Sequence, residues 1–538
     1  MSTHTSSTPD FDAIVIGAGV SGLYQLYKLR QLGLKVRVYE AGSAVGGVWY
    51  WNRYPGARCD SPGHVYQYWF SDELLGEWKW SERFPAQPET ERYLNYVADK
   101  FDLRKDIQFN TRVTSAHFDE ASELWTVTAA DGVAASAQFL VMATGGLSVP
   151  TFPTFPGQES FKGITYHTAN WPDQAIDFKG KRVGVIGTGA TGIQVIQTIG
   201  RDVGHLTVFQ RTPSYTIPIR NPKYAAQDWA ELNARYPELK HLVHETFSGF
   251  DFNPDPRSYY DVTPEDRQRL FQSLWDDGSL KLWVGGFREV FTDQAANDEL
   301  SEFVRARIRS RLKDPKVAAK LIPSDYGFGT RRVPLENGYY EIYNQDNVDL
   351  VDLFETPITR FTPEGVETTG GEHKLDVMIY ATGFDAATGA LTRLDLRGRG
   401  GLLLKDAWAK GVHTWLGMTV HGFPNMFMMM APMSPAAAFC NVPTCSQQQV
   451  DWITDCIAYV RDSGKRTIEP SAGADQKWVD HHNEVANATL VPKTKSWYMG
   501  SNIEGKQQSL VAYIGGVGTY RHLCNEAKAE NYKDCVLA

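Results

Sequence analysis

Residues 13–22 read Ala13-Ile14-Val15-Ile16-Gly17-Ala18-Gly19-Val20-Ser21-Gly22. The apolar run 13–16 has the look of a strand buried on both faces. It enters a G-x-G-x-x-G turn, a helical stretch reaches about residue 32, and a second strand follows at 36–39. Strand, glycine turn, helix and strand in this order open a doubly wound parallel sheet. The glycines have separate tasks: the turn is tight, the backbone must approach a pyrophosphate, and the helix must pack close to the strand. The amides of the helix N-terminus then meet the phosphate charge. Glu40 stands 23 residues after Gly17 (40 − 17). A carboxylate there can accept hydrogen bonds from both ribose hydroxyls of an adenosine.

The same arrangement recurs with a strand at 182–186, the turn Gly187-Thr188-Gly189-Ala190-Thr191-Gly192, a helix at 193–199 and a strand at 206–209. The equivalent count (187 + 23) reaches Gln210, followed by Arg211 and Thr212. No carboxylate ends this strand, and a cation suits a ribose 2′-phosphate. The second site is therefore expected to take NADPH. The first, with Glu40, is the natural FAD site, and Gly46-Gly47 with Trp49 continues it toward the flavin. Two dinucleotide folds in one chain imply electron transfer between two cofactors. They do not say whether a dithiol, a protein or dioxygen receives the electrons.

Composition narrows this further. The 538 residues are 42% hydrophobic and 22% charged, ordinary globular values. Net charge is −9, from 54 basic and 63 acidic residues, so neither nucleic acid nor a membrane surface has an electrostatic footprint. No apolar stretch is long enough to span a bilayer, and the polar first ten residues lack the pattern of a signal peptide. Six cysteines without a C-x-x-C pair form no disulfide framework, which points to a reducing cytoplasm and away from a dithiol reductase. No His, Cys, Asp and Glu residues have metal-ligand spacing. His481 and His482 are adjacent on a helical stretch, so their rings diverge by about 100° and cannot share a metal.

The expected fold is α/β, with two Rossmann-like domains and a helical insertion in the second. Residues 1–150 begin the FAD domain and 151–221 the NADP domain. Residues 222–330 form the insertion, 331–385 complete the NADP domain and 386–538 rejoin the FAD domain. Period-two alternation over 107–141 predicts antiparallel strands, and Gly and Pro at 142–157 mark a crossing between domains.

Just before the second glycine turn the chain reads Phe161-Lys162-Gly163-Ile164-Thr165-Tyr166-His167-Thr168-Ala169-Asn170-Trp171-Pro172. This resembles the F-x-G-x-x-x-H-x-x-x-W-P pattern of Baeyer–Villiger monooxygenases. The likeness extends over nearly the whole chain, including Tyr54-Pro55-Gly56-Ala57-Arg58-Cys59-Asp60, Ala381-Thr382-Gly383-Phe384-Asp385 and Ser496-Trp497-Tyr498. Through Ser324-Asp325-Tyr326-Gly327-Phe328-Gly329-Thr330 and the stretch around 420–445 it is most similar to members acting on acetone and other small methyl ketones.

The resemblance implies that NADPH reduces FAD, that reduced flavin captures dioxygen as a peroxide, and that this attacks a ketone to give an ester or lactone. It implies Arg332 as the catalytic guanidinium and Asp60 as its partner. Beyond the glycines, Glu40, Arg211 and Thr212 already named, it assigns Tyr66, Arg331 and Trp497 to cofactor binding. Met433 and Ser434 fall in the segment that lines the substrate pocket. His167 is given a part in domain coupling rather than proton transfer. Two departures stand out: Arg331 where many members have lysine, and Glu504 where the tail motif has proline. Cyclic ketones, or a sulfur- or nitrogen-oxidising flavin monooxygenase, remain alternatives. A flavin-binding protein without catalysis would not need the second turn.

Overall fold

The computed structural model describes residues 8–436 and 439–538; residues 1–7 of the polar start lie outside the described residues. The chain opens with β1 (Phe11–Ile16), α1 (Val20–Gln31) and β2 (Val36–Tyr39). Further along come β3 (Ile107–Gln108) and an antiparallel meander of β4 (Val113–Asp119), β5 (Leu124–Ala129) and β6 (Ala134–Met142). β1 lies between β2 and β6, both parallel to it, with Ile14 opposite Arg37 and Leu140. Its last four side chains are fully or nearly buried, which is why the strand carries no polar residue there.

The second unit begins with β7 (Ile164–His167), β8 (Arg182–Ile186), α2 (Ala190–Ile199) and β9 (His205–Gln210). A helical stretch follows, whose longer members are α3 (Ala226–Glu245), α4 (Pro264–Asp277), α5 (Gln294–Arg309) and α6 (Pro315–Leu321). Only then do β10 (Val348–Asp352) and β11 (Val377–Tyr380) complete the sheet in the order β10-β9-β8-β11-β7, all parallel. The helices are thus an insertion between two strands of one sheet. The segment 164–167, read only as part of a motif, is this sheet's edge strand, with Tyr166 opposite Ile379.

Beyond residue 386 the chain returns to the first sheet. β12 (Asp395–Arg397) pairs with β4, and β13 (Met426–Met428) lies along β6 where β5 has ended. The long α7 (Val442–Asp462) packs on α1, with Gln25 donating to Thr454 across the contact. The chain crosses between the sheets at 149–151 and again at 383–385. The two crossings run side by side, with Thr151 N–H donating to Gly383 O and Asp385 N–H to Val149 O, each 2.9 Å. Among the described residues no helix is long and apolar enough to cross a membrane.

Candidate active site

Both glycine turns open on one cavity of about 2130 Å³, which runs from Gly17 and Glu40 to Gly187 and Arg211. At the first turn Gly17 has φ +105°, and a Cβ there would lie 2.5 Å from Ala143 O. A Cβ on Gly22 would lie 1.9 Å from Gly17 O, so the helix closes on the turn only because no side chain intervenes. Gly19 and Gly47 face each other, and a Cβ on Gly47 would come within 2.9 Å of Gly19 Cα. Glu40 is buried, its Oε2 accepting from Ala18 N–H (2.8 Å) and its Oε1 from Gly42 N–H (2.6 Å). Trp49 donates from its indole to Tyr66 Oη at 3.0 Å, and both rings line the cavity.

The second turn repeats the geometry. A Cβ on Gly187 would meet Ala381 O at 2.4 Å and one on Gly192 would meet Gly187 O at 2.1 Å, whereas one on Gly189 would meet nothing within 4 Å. Gly189 thus borders the space a ligand's phosphates need. The N-terminal residues of α1 and α2, Gly19 and Gly189, provide no side-chain cap. By contrast α4, α5 and α6 are capped by Thr263, Asp293 and Asp314. Uncapped amides aimed at a cavity are what a pyrophosphate requires, so both turns fit dinucleotides. Arg211 is exposed at the cavity rim beside Thr212, whose carbonyl accepts from Thr188 Oγ1 (2.9 Å).

Between the turns, Arg332 donates to Asp60 Oδ2 at 2.8 Å, a pairing across 272 residues of sequence. The guanidinium also lies 5.3 Å over the Trp283 ring. Its placement is built from the insertion. Asn297 of α5 donates to Phe328 O (2.9 Å), and Ser301 accepts from Phe328 N–H (2.8 Å). Gly327 must be glycine, because a Cβ would sit 2.0 Å from Asn297 Oδ1. Trp283 donates to Gly329 O (3.0 Å), in a residue at φ +80°. Burial pushes the Asp60 carboxyl above the usual carboxylate range, against the pull of Arg332 and the Leu335 N–H. Burial works against the charge on Arg332, but Asp60 outweighs it and holds the guanidinium above its ordinary value. Arg332 is cationic at every working pH.

Arg331 also lines the cavity, its guanidinium 4.3 Å over the Tyr326 ring and its buried Nε without a partner among the described residues. Trp497 lines the cavity from a short helical turn, Trp497–Met499. The loop that follows is tied down on both sides of Glu504. Asn502 donates to Phe384 O (2.8 Å), and Lys506 donates to Asp385 (2.8 Å) and Ala386 O (2.9 Å).

His167 stands where the crossings meet. Its Nδ1 accepts from Ala169 N–H (3.1 Å), so Nε2 carries the hydrogen toward Thr151 O (3.3 Å) and Thr382 Oγ1 (3.2 Å). Burial lowers its pKa and favours this neutral form. One imidazole therefore touches both crossings.

Met433 and Ser434 do not line the cavity. Met433 has φ +65° and is buried with Trp478 in the core of the first unit, while Ser434 is wholly buried and donates to Ala431 O. The left-handed turn directs that segment into the core, and the wall comes instead from Met430, Ala436, Phe439 and Cys440. Sequence reading missed these, together with Trp283 and Phe250 of the insertion, because no local pattern marks a loop residue as facing a cavity. It also missed the disulfide between Cys440 and Cys445, a spacing outside the C-x-x-C pattern. His481 and His482 have separate partners, Tyr513 Oη (3.0 Å) and Leu510 O (2.8 Å).

Comparison with known proteins agrees with this geometry. The FMO-like family, flavin-binding monooxygenase-like, matches residues 12–224. The chain is 52% identical to the acetone monooxygenase (methyl acetate-forming) of Gordonia sp. (strain TY-5), over 99% of this chain and 100% of that protein. It is 42% identical to a Baeyer–Villiger monooxygenase of Pseudooceanicola batsensis, over 98% and 96% of the two chains. Among solved structures, OTEMO in complex with FAD and NADP superposes with a TM-score of 0.95 at 42% identity, over 99% of this chain and 100% of that one.

Proposed function

We propose that this chain, which belongs to the Baeyer–Villiger monooxygenases, acts on small methyl ketones. Its reaction inserts one oxygen atom of O2 beside a ketone carbonyl and yields an ester or lactone, using FAD and NADPH. The bound FAD, reduced by NADPH, supplies the activation of dioxygen. The protein's own contribution is positioning, electrostatics and exclusion of water.

Arg332 is the centre of that contribution. A guanidinium that cannot deprotonate stabilises negative charge wherever it develops on the reacting oxygens, an oxyanion-type role. Asp60 holds it in place through the hydrogen bond to its guanidinium. The 2′-phosphate of NADPH falls to Arg211 and Thr212, with Arg331 as a second cation. His167 joins the crossings and transfers no proton. A cytoplasmic setting, where NADPH is regenerated, goes with this reading.

The observation that supports a small substrate is the wall beside Arg332. Trp283, under the guanidinium, lies 5.4 Å from the Phe439 ring, which lies 5.4 Å from Tyr498 and 5.9 Å from Phe291. Of these rings Trp283 and Phe439 line the cavity, and their bulk on the side of the guanidinium favours short alkyl groups there. Similarity to an acetone monooxygenase points the same way. The test is gas chromatography of products from acetone, 2-butanone, long-chain 2-ketones, cyclopentanone, cyclohexanone and phenylacetone. Acetone and 2-butanone should show the highest kcat/KM, and Phe439→Ala should shift preference toward longer 2-ketones. Higher kcat/KM for cyclohexanone or phenylacetone in the parent enzyme would overturn the proposal.

A further inference from the structure

Phe354 is 74% exposed, more than any other large apolar side chain exposed among the described residues. It lines the cavity beside Arg211. The backbone explains the juxtaposition. Leu353 N–H donates to Gln210 O (2.8 Å), carrying the β9–β10 ladder one residue past the end of β10. Arg211 follows Gln210, and Phe354 follows Leu353, so both side chains leave from the carboxyl ends of neighbouring strands.

The turn that presents Phe354 is fixed. Its N–H donates to Asp352 Oδ1 (2.9 Å), and Thr356 N–H donates to Asp352 O (2.8 Å). Glu355 pairs with Lys320 (2.5 Å), whose carbonyl accepts from Gln210 Nε2 (2.7 Å). An ordered turn here holds an aromatic face toward the cavity rather than the core. In open parallel sheets a ligand binds beyond the carboxyl ends of the strands, and a purine offers a π-face that any aromatic ring can stack upon.

We propose that Phe354 is the stacking platform for the adenine of NADPH. The proposal rests on the reading that the Gly187–Gly192 turn takes NADPH, with Arg211 toward its 2′-phosphate. Stacking then contributes to affinity for either nicotinamide cofactor, while Arg211 sets the choice between them.

Calorimetric titration of the FAD-loaded enzyme tests this with four probes: NADP⁺, NAD⁺, 2′,5′-ADP and nicotinamide mononucleotide. Phe354→Ala should weaken NADP⁺, NAD⁺ and 2′,5′-ADP by a common factor of about ten and leave the mononucleotide, which lacks adenine, unchanged. Phe354→Trp should restore the affinities. Unchanged binding of 2′,5′-ADP to Phe354→Ala, or equal weakening of the mononucleotide, would overturn the proposal. Arg211→Ala reports separately on the underlying reading. If it leaves the preference for NADP⁺ over NAD⁺ intact while Phe354→Ala acts as described, the phosphate assignment fails and the stacking stands.

Discussion

Replacing Asp60 by asparagine separates the charge of this residue from its shape. The carboxylate lies 2.8 Å from the Arg332 guanidinium, with the two side chains 9% and 25% exposed. At an effective dielectric near 20, charges at that distance attract by about 6 kcal/mol. Removing Asp60 from water opposes this by several kcal/mol, and burial is indeed the larger influence on its carboxyl. Asp60→Asn keeps an acceptor for the guanidinium but removes its counter-charge, so it should cost about 2 kcal/mol, less than loss of the whole side chain. Asp60→Ala leaves the guanidinium unpaired and should cost about 3 kcal/mol, the lower end for a broken buried pair. Activity should respond differently. An arginine no longer held in one orientation forfeits part of the factor of about 10²–10³ that one oxyanion donor provides. A fall in ester formation of about 10–100-fold is expected for Asp60→Asn, with KM for NADPH little changed. Protonation of Asp60 also removes its charge. Because the folded pKa is raised, that occurs above the usual carboxylate range as pH falls, and the acidic limb of the parent's rate profile should be absent from Asp60→Asn. Product chromatography beside NADPH oxidation, from neutral to mildly acidic pH, measures both. Full ester formation by Asp60→Asn, with the parent's acidic limb retained, would refute the reasoning.

Three further outcomes follow from the same geometry. Gly189→Ala should fold, since its Cβ meets nothing within 4 Å, yet bind NADP⁺ at least tenfold more weakly; Gly187→Ala, 2.4 Å from Ala381 O at φ +108°, should instead lower the melting temperature. Arg211→Ala should raise the Kd for NADP⁺ by about 10–150-fold, the equivalent of about 1.5–3 kcal/mol for a charged hydrogen bond, with NAD⁺ unaffected. For His167 burial lowers the folded pKa below the ordinary imidazole value of about 6.5. Its contribution to stability is therefore complete above that pH and is lost as pH falls through the folded value. The melting temperature of His167→Asn should depend less on pH over that interval than the parent's does.

The parts of this architecture that were legible beforehand are those where local geometry restricts residue type. Gly17, Gly22, Gly187 and Gly192 are dictated by backbone atoms within 3 Å of any added Cβ, and such constraints leave a mark in sequence. The buried strands 182–186 and 377–380 were equally plain from their apolar runs. Residues brought together from far apart left no such mark. Asp60 and Arg332 were paired through family resemblance, since nothing in either segment announces the other. The turn at Met433 reverses the direction a linear reading gives its side chain, and the wall formed by Phe439 and Trp283 joins a loop of the first unit to the insertion of the second. Phe354 resembles any surface phenylalanine until the strand beside it is seen to end just before Arg211.

The account depends most on the fixed cation at Arg332 governing oxygen transfer, and the ratio of ester formed to NADPH consumed tests that directly. For Arg332→Ala and Arg332→Lys, ester should fall by about 10²–10³, far more than NADPH oxidation does, with hydrogen peroxide appearing in its place. Ester yields per NADPH equal to the parent's in both variants would contradict it.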